Sequence, residues 1–128
     1  MFLEIDLSSE TPIYIQLMYQ IKKGIINQEL LPEENLPSVR VLAGDLGVNM
    51  HTVNKAYNLL TEEGILIKNK KGYSLQPLDL RIQAEESRKK MKERLKKLMI
   101  DAFVYGISER DMENWKIEIR DELKREEK

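Results

Sequence analysis

The chain contains no cysteine, so a disulfide framework, a thiolate nucleophile and a thiolate metal site are all excluded. It has a single histidine, His51, and one imidazole cannot build a His-based metal site. No segment approaches the roughly 18 consecutive apolar residues that a membrane-spanning helix requires. Glu4 and Asp6 stand near the start, where a secretory signal would need an apolar run, so a cytoplasmic location is expected. A glycine-rich phosphate loop is also missing, and Lys71-Gly72 lacks the strand-loop-helix setting such a loop needs. Adjacent acids such as Glu62 and Glu63 point in different directions on a helix, which leaves no acid–base pair. Catalysis is therefore not expected, and neither is a cofactor or a metal.

An excess of positive charge is lacking too. The 128 residues carry 21 Lys/Arg against 22 Asp/Glu, a net charge of −1. The resulting pI of about 6.0 lies far below the basic value common in nucleic-acid binders. Residues 1–78 alone hold 7 Lys/Arg and 9 Asp/Glu, a net of −2. Any surface for an anionic partner must come from local placement of charge. The length suits one compact domain with an extension.

The informative segment is residues 36–64. Ser38 is placed to cap a first short helix, in which Val39, Leu42 and Leu46 recur at three- and four-residue intervals. Gly47 marks its end, at a position that favours a left-handed residue. Asn49 is a good cap for a second helix, with Val53, Ala56, Tyr57 and Leu60 as one apolar stripe. The opposite face carries His51, Asn54, Lys55 and Asn58, with Met50 and Thr52 near the start. Two amphipathic helices around a glycine turn match a helix-turn-helix, whose second helix enters the major groove. A plain pair of core helices is the alternative. Residues 65–67 and 73–75 are short β-prone runs about the polar tip Asn69-Lys70-Lys71-Gly72. A hairpin directly after a reading helix is a wing, and Lys68, Lys70 and Lys71 would then face phosphate or a minor groove. A solvated hairpin tip is the competing reading.

These residues resemble the winged-helix domain of the GntR family of bacterial transcription regulators. The resemblance rests on Pro32, Leu36-Pro37-Ser38, Arg40, Leu42-Ala43, Leu46-Gly47-Val48, Thr52-Val53, Ala56-Tyr57, Leu60, Glu63-Gly64 and Gly72, with residues 12–17 similar to the family's first helix. The Asn49 start of the reading helix and the short tail resemble the YtrA-type branch. The resemblance implies that Arg40 contacts DNA and that Thr52 and the helix start at Asn49 hold phosphate, as helix N-termini can. Three departures stand out. Glu33 replaces a family glycine, which suggests a less tight turn. Met50 replaces an arginine and cannot make the bidentate contact to guanine. Lys70 replaces the first wing glycine. The expected DNA-facing set is Ser38, Arg40, Asn49, Met50, His51, Thr52, Asn54, Lys55, Lys70, Lys71 and Gly72.

The last fifty residues are expected to be helical. Residues 79–105 contain neither proline nor glycine and read as one long helix, with Met91, Leu95, Leu98 and Ala102 in a stripe that Met99 and Phe103 widen. Gly106 ends it, and Ser108 to Asp111 has the pattern of a capping box, with Ile107 and Met112 as a staple. A final helix carries Met112, Trp115, Ile119 and Leu123. Two such stripes need a partner surface; the favoured partner is a second subunit, with docking onto the chain's own first domain as the alternative. Met91, Leu95, Leu98, Ala102, Trp115 and Ile119 form the expected dimer interface. The basic run over residues 88–97 reads as a solvated helix face, the alternative being an extra DNA or anionic-membrane surface.

The sequence thus describes an α+β, mainly α chain: a winged helix-turn-helix over residues 1–77 and a two-helix dimerisation hairpin over residues 78–128. The function expected is that of a homodimeric regulator of double-stranded DNA, a repressor rather than an activator, on a palindromic operator. The YtrA-type resemblance implies transporter operons as targets. A small-molecule effector is left open, since no residue singles one out, and no membrane partner is expected. The alternative is a winged helix used only for protein contact, toward which Met50 alone leans.

Overall fold

A computed structural model describes residues 3–125, and contacts divide the chain after Ala84. The described residues contain six helices and one two-stranded hairpin. The first unit runs α1 (Ile13–Ile26), α2 (Val39–Leu46), α3 (Met50–Glu62), β1 (Leu66–Asn69), β2 (Gly72–Leu75) and α4 (Leu78–Ile82). The expected stripe on α3 is the centre of its core. Val53, Ala56, Tyr57 and Leu60 are fully buried, beside Leu17 and Ile21 of α1 and Leu42 and Ala43 of α2. Each fully buried Leu, Ile or Val contributes about 1.5–3 kcal/mol.

Both expected caps are present. The Ser38 hydroxyl accepts from the Val41 amide at 3.1 Å, and the Asn49 carboxamide oxygen accepts from the His51 amide at 2.7 Å. At the other ends, α2 and α3 close with a residue in the left-handed region, Gly47 (φ 69°) and Gly64 (φ 81°). The following amides reach back into the last turn, Val48 to Ala43 at 3.0 Å and Ile65 to Leu60 at 3.0 Å, which satisfies carbonyls a helix end leaves open. Helix α1 ends the same way, but with Gln28 at φ 60° where glycine would be at ease, while Glu29 donates to the Gly24 carbonyl at 2.8 Å.

The hairpin pairs Leu66 with Leu75 and Asn69 with Gly72, so Lys70 and Lys71 form a two-residue tip. Strand β1 begins one residue later and ends two residues later than expected, and β2 begins one residue earlier. Residues 32–36 add a partial third strand: Glu33 donates to the Leu75 carbonyl at 3.0 Å and Leu36 to the Tyr73 carbonyl at 2.8 Å. The turn after Pro32 keeps a left-handed residue without glycine, for Glu33 itself sits at φ 68°. Loss of the family glycine has therefore left the turn formed, with the strain on Glu33.

An N-terminal arm lies along α1, held by two side-chain amides one turn apart. Gln16 accepts from the Asp6 amide at 2.9 Å and donates to the Asp6 carbonyl at 3.0 Å. Gln20 exchanges the same pair of bonds with the backbone of Glu4. Each glutamine thereby serves the arm as a neighbouring strand would. The Asp6 carboxylate accepts from the hydroxyl and amide of Ser8, which holds its pKa below the ordinary aspartate range.

The single helix expected over residues 79–105 is interrupted. Helix α4 stops at Ile82, the amides of residues 83 and 84 donate to carbonyls three rather than four residues back, and α5 (Glu85–Val104) begins anew. Arg81 donates from Nε to the Gln76 carbonyl at 2.9 Å, and a Cβ on Gly64 would lie 3.0 Å from that of Ala84. The local bond from Arg81 and the close approach of Ala84 to Gly64 hold the segment on the first unit, and a proline-free run marks neither. In the second unit α5 turns at Gly106 (φ 72°) into α6 (Glu109–Arg125), where Asp111 donates to the Ser108 hydroxyl at 3.0 Å. Among the described residues no helix is long and apolar enough to cross a membrane.

Candidate nucleic-acid interface

The outward face of α3 starts from its cap. Asn49 spends its carboxamide oxygen on the His51 amide, so the cap orders the first turn, and the Met50 and His51 side chains are left exposed. Asn54 is exposed one turn on, whereas Thr52 is half-buried. Lys55 is exposed but not free: its Nζ lies 4.0 Å from the centroid of the Tyr14 ring on α1, within cation–π range. Asn58, which sequence periodicity places among the outward polar residues, accepts from the Tyr73 hydroxyl at 2.8 Å. It joins α3 to the wing. Nothing local in the sequence marks that role.

Helix α2 is fixed against α3 by a second tyrosine. The Tyr57 hydroxyl donates to the Pro37 carbonyl at 2.8 Å, and its ring meets that of Tyr73 edge-on at 5.0 Å. Burial pushes the Tyr57 phenol above its ordinary pKa. The bond sits one residue before Ser38, whose hydroxyl is committed to its cap. Arg40 follows in the first turn of α2, exposed and without an ion pair or hydrogen bond among the described residues. A free guanidinium at this place can hold a phosphate or a base edge.

On the wing, Lys70 and Lys71 are exposed at the tip and Gly72 is half-buried. The Lys71 amide donates to the Asn69 side chain at 2.9 Å, so the tip is an Asx turn. Neither lysine takes a positive φ; Gly72 does, at 124°. Lys68 lies within β1, its Nζ 5.6 Å from the Tyr73 ring centroid. Two tyrosine hydroxyls thus tie α2, α3 and the wing into one framework carrying Arg40, Met50, His51, Asn54, Lys70 and Lys71.

The tail residues divide differently. Met91, Leu95, Leu98, Trp115 and Ile119 are between 47% and 61% exposed, but Ala102 is only 8% exposed. Ala102 therefore has little surface to give a partner, and its carbonyl accepts from the Ile107 amide at 2.9 Å. Phe103, at 51% exposed, has more to offer. No group of three or more His, Cys, Asp or Glu suited to a metal occurs among the described residues.

Comparison with known proteins agrees with this geometry. Residues 13–73 match the family described as bacterial regulatory proteins, gntR family. The chain is 35% identical over 124 residues to the HTH-type transcriptional repressor YtrA of Bacillus subtilis (strain 168), covering 95% of each chain. A solved structure described as a transcriptional antiterminator from Listeria monocytogenes EGD-e superimposes with a TM-score of 0.84 at 26% identity, over 97% of this chain and 92% of that one. The DNA-binding domain of AraR, solved in complex with operator ORX1, superimposes with a TM-score of 0.53 at 26% identity, over 59% of this chain and 98% of its own. The chain belongs to the GntR family of bacterial regulatory proteins.

Proposed function

We propose that the protein is a sequence-specific transcriptional repressor that binds a palindromic operator as a homodimer. The observation that carries this reading is the pairing of an unengaged Arg40 on α2 with the open Met50, His51 and Asn54 face of α3, on a framework locked by Tyr57 and Tyr73. Helix α3 would enter the major groove, Arg40, Ser38 and the Asn49–Thr52 turn would face the backbone, and the Lys70-Lys71-Gly72 tip would complete the contact. The operator complex of AraR supports DNA as the partner, and the name of the Bacillus relative supports repression. Transporter operons are the target class, by the YtrA-type resemblance.

Dimerisation fits the charge balance. The region before the tail is net acidic, so one copy offers few cations to phosphate, and a second doubles them. Residues 78–128, with the exposed stripe of α5 and α6, would supply the interface. Selection of bound sequences from random DNA by the full chain tests the reading. An enriched inverted repeat is the expected result; no enrichment at low salt would overturn it.

A further inference from the structure

The outward side of α3 has an unusual chemistry for a reading helix. It contains no arginine, and its one lysine, Lys55, is drawn over the Tyr14 ring at 4.0 Å. Arg or Lys to the O6 and N7 of guanine is the commonest specific contact in the major groove; this helix has no arginine, and Lys55 would have to leave the Tyr14 ring to make it. What remains open are the Met50 thioether, the His51 imidazole and the Asn54 carboxamide, and of these the first and last stand four residues apart. Met50 is 45% exposed in the first turn, and Asn54 is exposed four residues later, with no partner among the described residues. Residues four apart stack on one side of a helix, so the two reach neighbouring base edges together.

Their chemistry selects the bases. A thioether carries no strong hydrogen-bond donor and packs well on apolar groups, and thymine supplies the one methyl group in the major groove. A carboxamide both donates and accepts, which matches the N6 and N7 of adenine. We propose that Met50 and Asn54 together read A·T base pairs, Met50 against a thymine 5-methyl group and Asn54 across the edge of an adenine. The assignment rests on the DNA-reading function above and adds which bases this helix selects. Arg40, on the other helix, is free to contact guanine or phosphate outside that pair.

Operators enriched from random DNA provide the test. Each thymine of a half-site is replaced in turn by uracil, which lacks only the methyl, and each adenine by 7-deazaadenine, which lacks the N7 acceptor. Burial of a methyl group is worth about fourfold in affinity. One thymine per half-site should show that loss with the wild-type chain and none with Met50→Ala; one adenine should behave likewise with Asn54→Ala. A uracil penalty of the same size in wild type and Met50→Ala at every thymine would overturn the Met50 assignment. An unchanged 7-deazaadenine penalty in Asn54→Ala would overturn that of Asn54. Failure to enrich any sequence would instead remove the DNA-reading function, and this assignment with it.

Discussion

The Tyr57 hydroxyl donates to the Pro37 carbonyl at 2.8 Å, binding the middle of the reading helix to the residue before the α2 cap. Tyr57→Phe keeps the ring packed against Tyr73 and removes that one bond. Pro37 is exposed, so water can replace the lost donor, and the cost should be about 1 kcal/mol. The alkaline limb gives a second signature. Burial raises the Tyr57 pKa above its ordinary 10.0, so its neutral form contributes stability that is fully present below pH 10 and lost as pH rises beyond it. Urea unfolding should show Tyr57→Phe less stable at neutral pH and less sensitive to alkali. Equal alkaline sensitivity would place the titration elsewhere.

The core of this framework was legible because its signals are local and periodic. Val53, Ala56, Tyr57 and Leu60 recur at helical spacing, and Ser38, Asn49 and Ser108 stand where caps belong. The hydrogen bonds from Tyr57 and Tyr73 were not legible. They join residues 20 and 15 positions apart, and neither tyrosine differs in pattern from a core aromatic. The break between α4 and α5 is hidden too, since no breaker residue marks it and the positions of Arg81 and Ala84 beside Gln76 and Gly64 leave no periodic signal. The arm on Gln16 and Gln20 depends on polar side chains that carry no periodic signal at all. On the reading face, sequence located Lys55 but not its capture by Tyr14.

Two strained positions offer a direct check on the backbone. Gln28 and Glu33 hold φ of 60° and 68°, a region that costs an L-residue roughly 1–2 kcal/mol. Glycine removes that cost but loses more entropy on folding, about 0.5–1 kcal/mol. Gln28→Gly and Glu33→Gly should each raise stability by about 0.5 kcal/mol, read as a higher denaturant midpoint with unchanged slope. A lower midpoint for Glu33→Gly would show that its side chain contributes more than its conformation costs.

The arm makes a prediction for hydrogen exchange. The Glu4 and Asp6 amides donate to the side chains of Gln20 and Gln16. Gln16→Ala should speed exchange at Asp6, and Gln20→Ala at Glu4, with the α3 amides unaffected. Protection that survives both substitutions would mean that packing of Leu3 on the core, not the amide pairs, holds the arm.

Arg40 and the wing lysines should separate in their effects on DNA. Lys70→Ala with Lys71→Ala removes two exposed cations from a hairpin tip. Binding to a selected operator should weaken, and the salt slope should fall by about one unit for each phosphate that the variant leaves unneutralised. Base preference should stay as in the wild type. Arg40→Ala should also lower affinity and slope; an unchanged affinity would remove Arg40 from the interface. A changed base preference in the wing variant would show that the tip reads sequence.

Dimerisation through the tail is testable without DNA. Leu95 and Leu98 are 52% and 61% exposed on α5, and Trp115 is 47% exposed on α6. Surface this apolar, repeated along both helices, is disfavoured in water unless another surface covers it. Leu95→Asp with Leu98→Asp places two charges in the stripe without touching the core of the first unit. Light scattering should report a dimer for the wild type and a monomer for this variant. Trp115 fluorescence should shift to the red as its indole becomes wetter. Operator affinity should drop steeply, because two linked reading heads raise each other's effective concentration. A variant that remains dimeric would move the interface off this stripe, and one that is monomeric yet binds the operator as tightly would show that a single copy suffices.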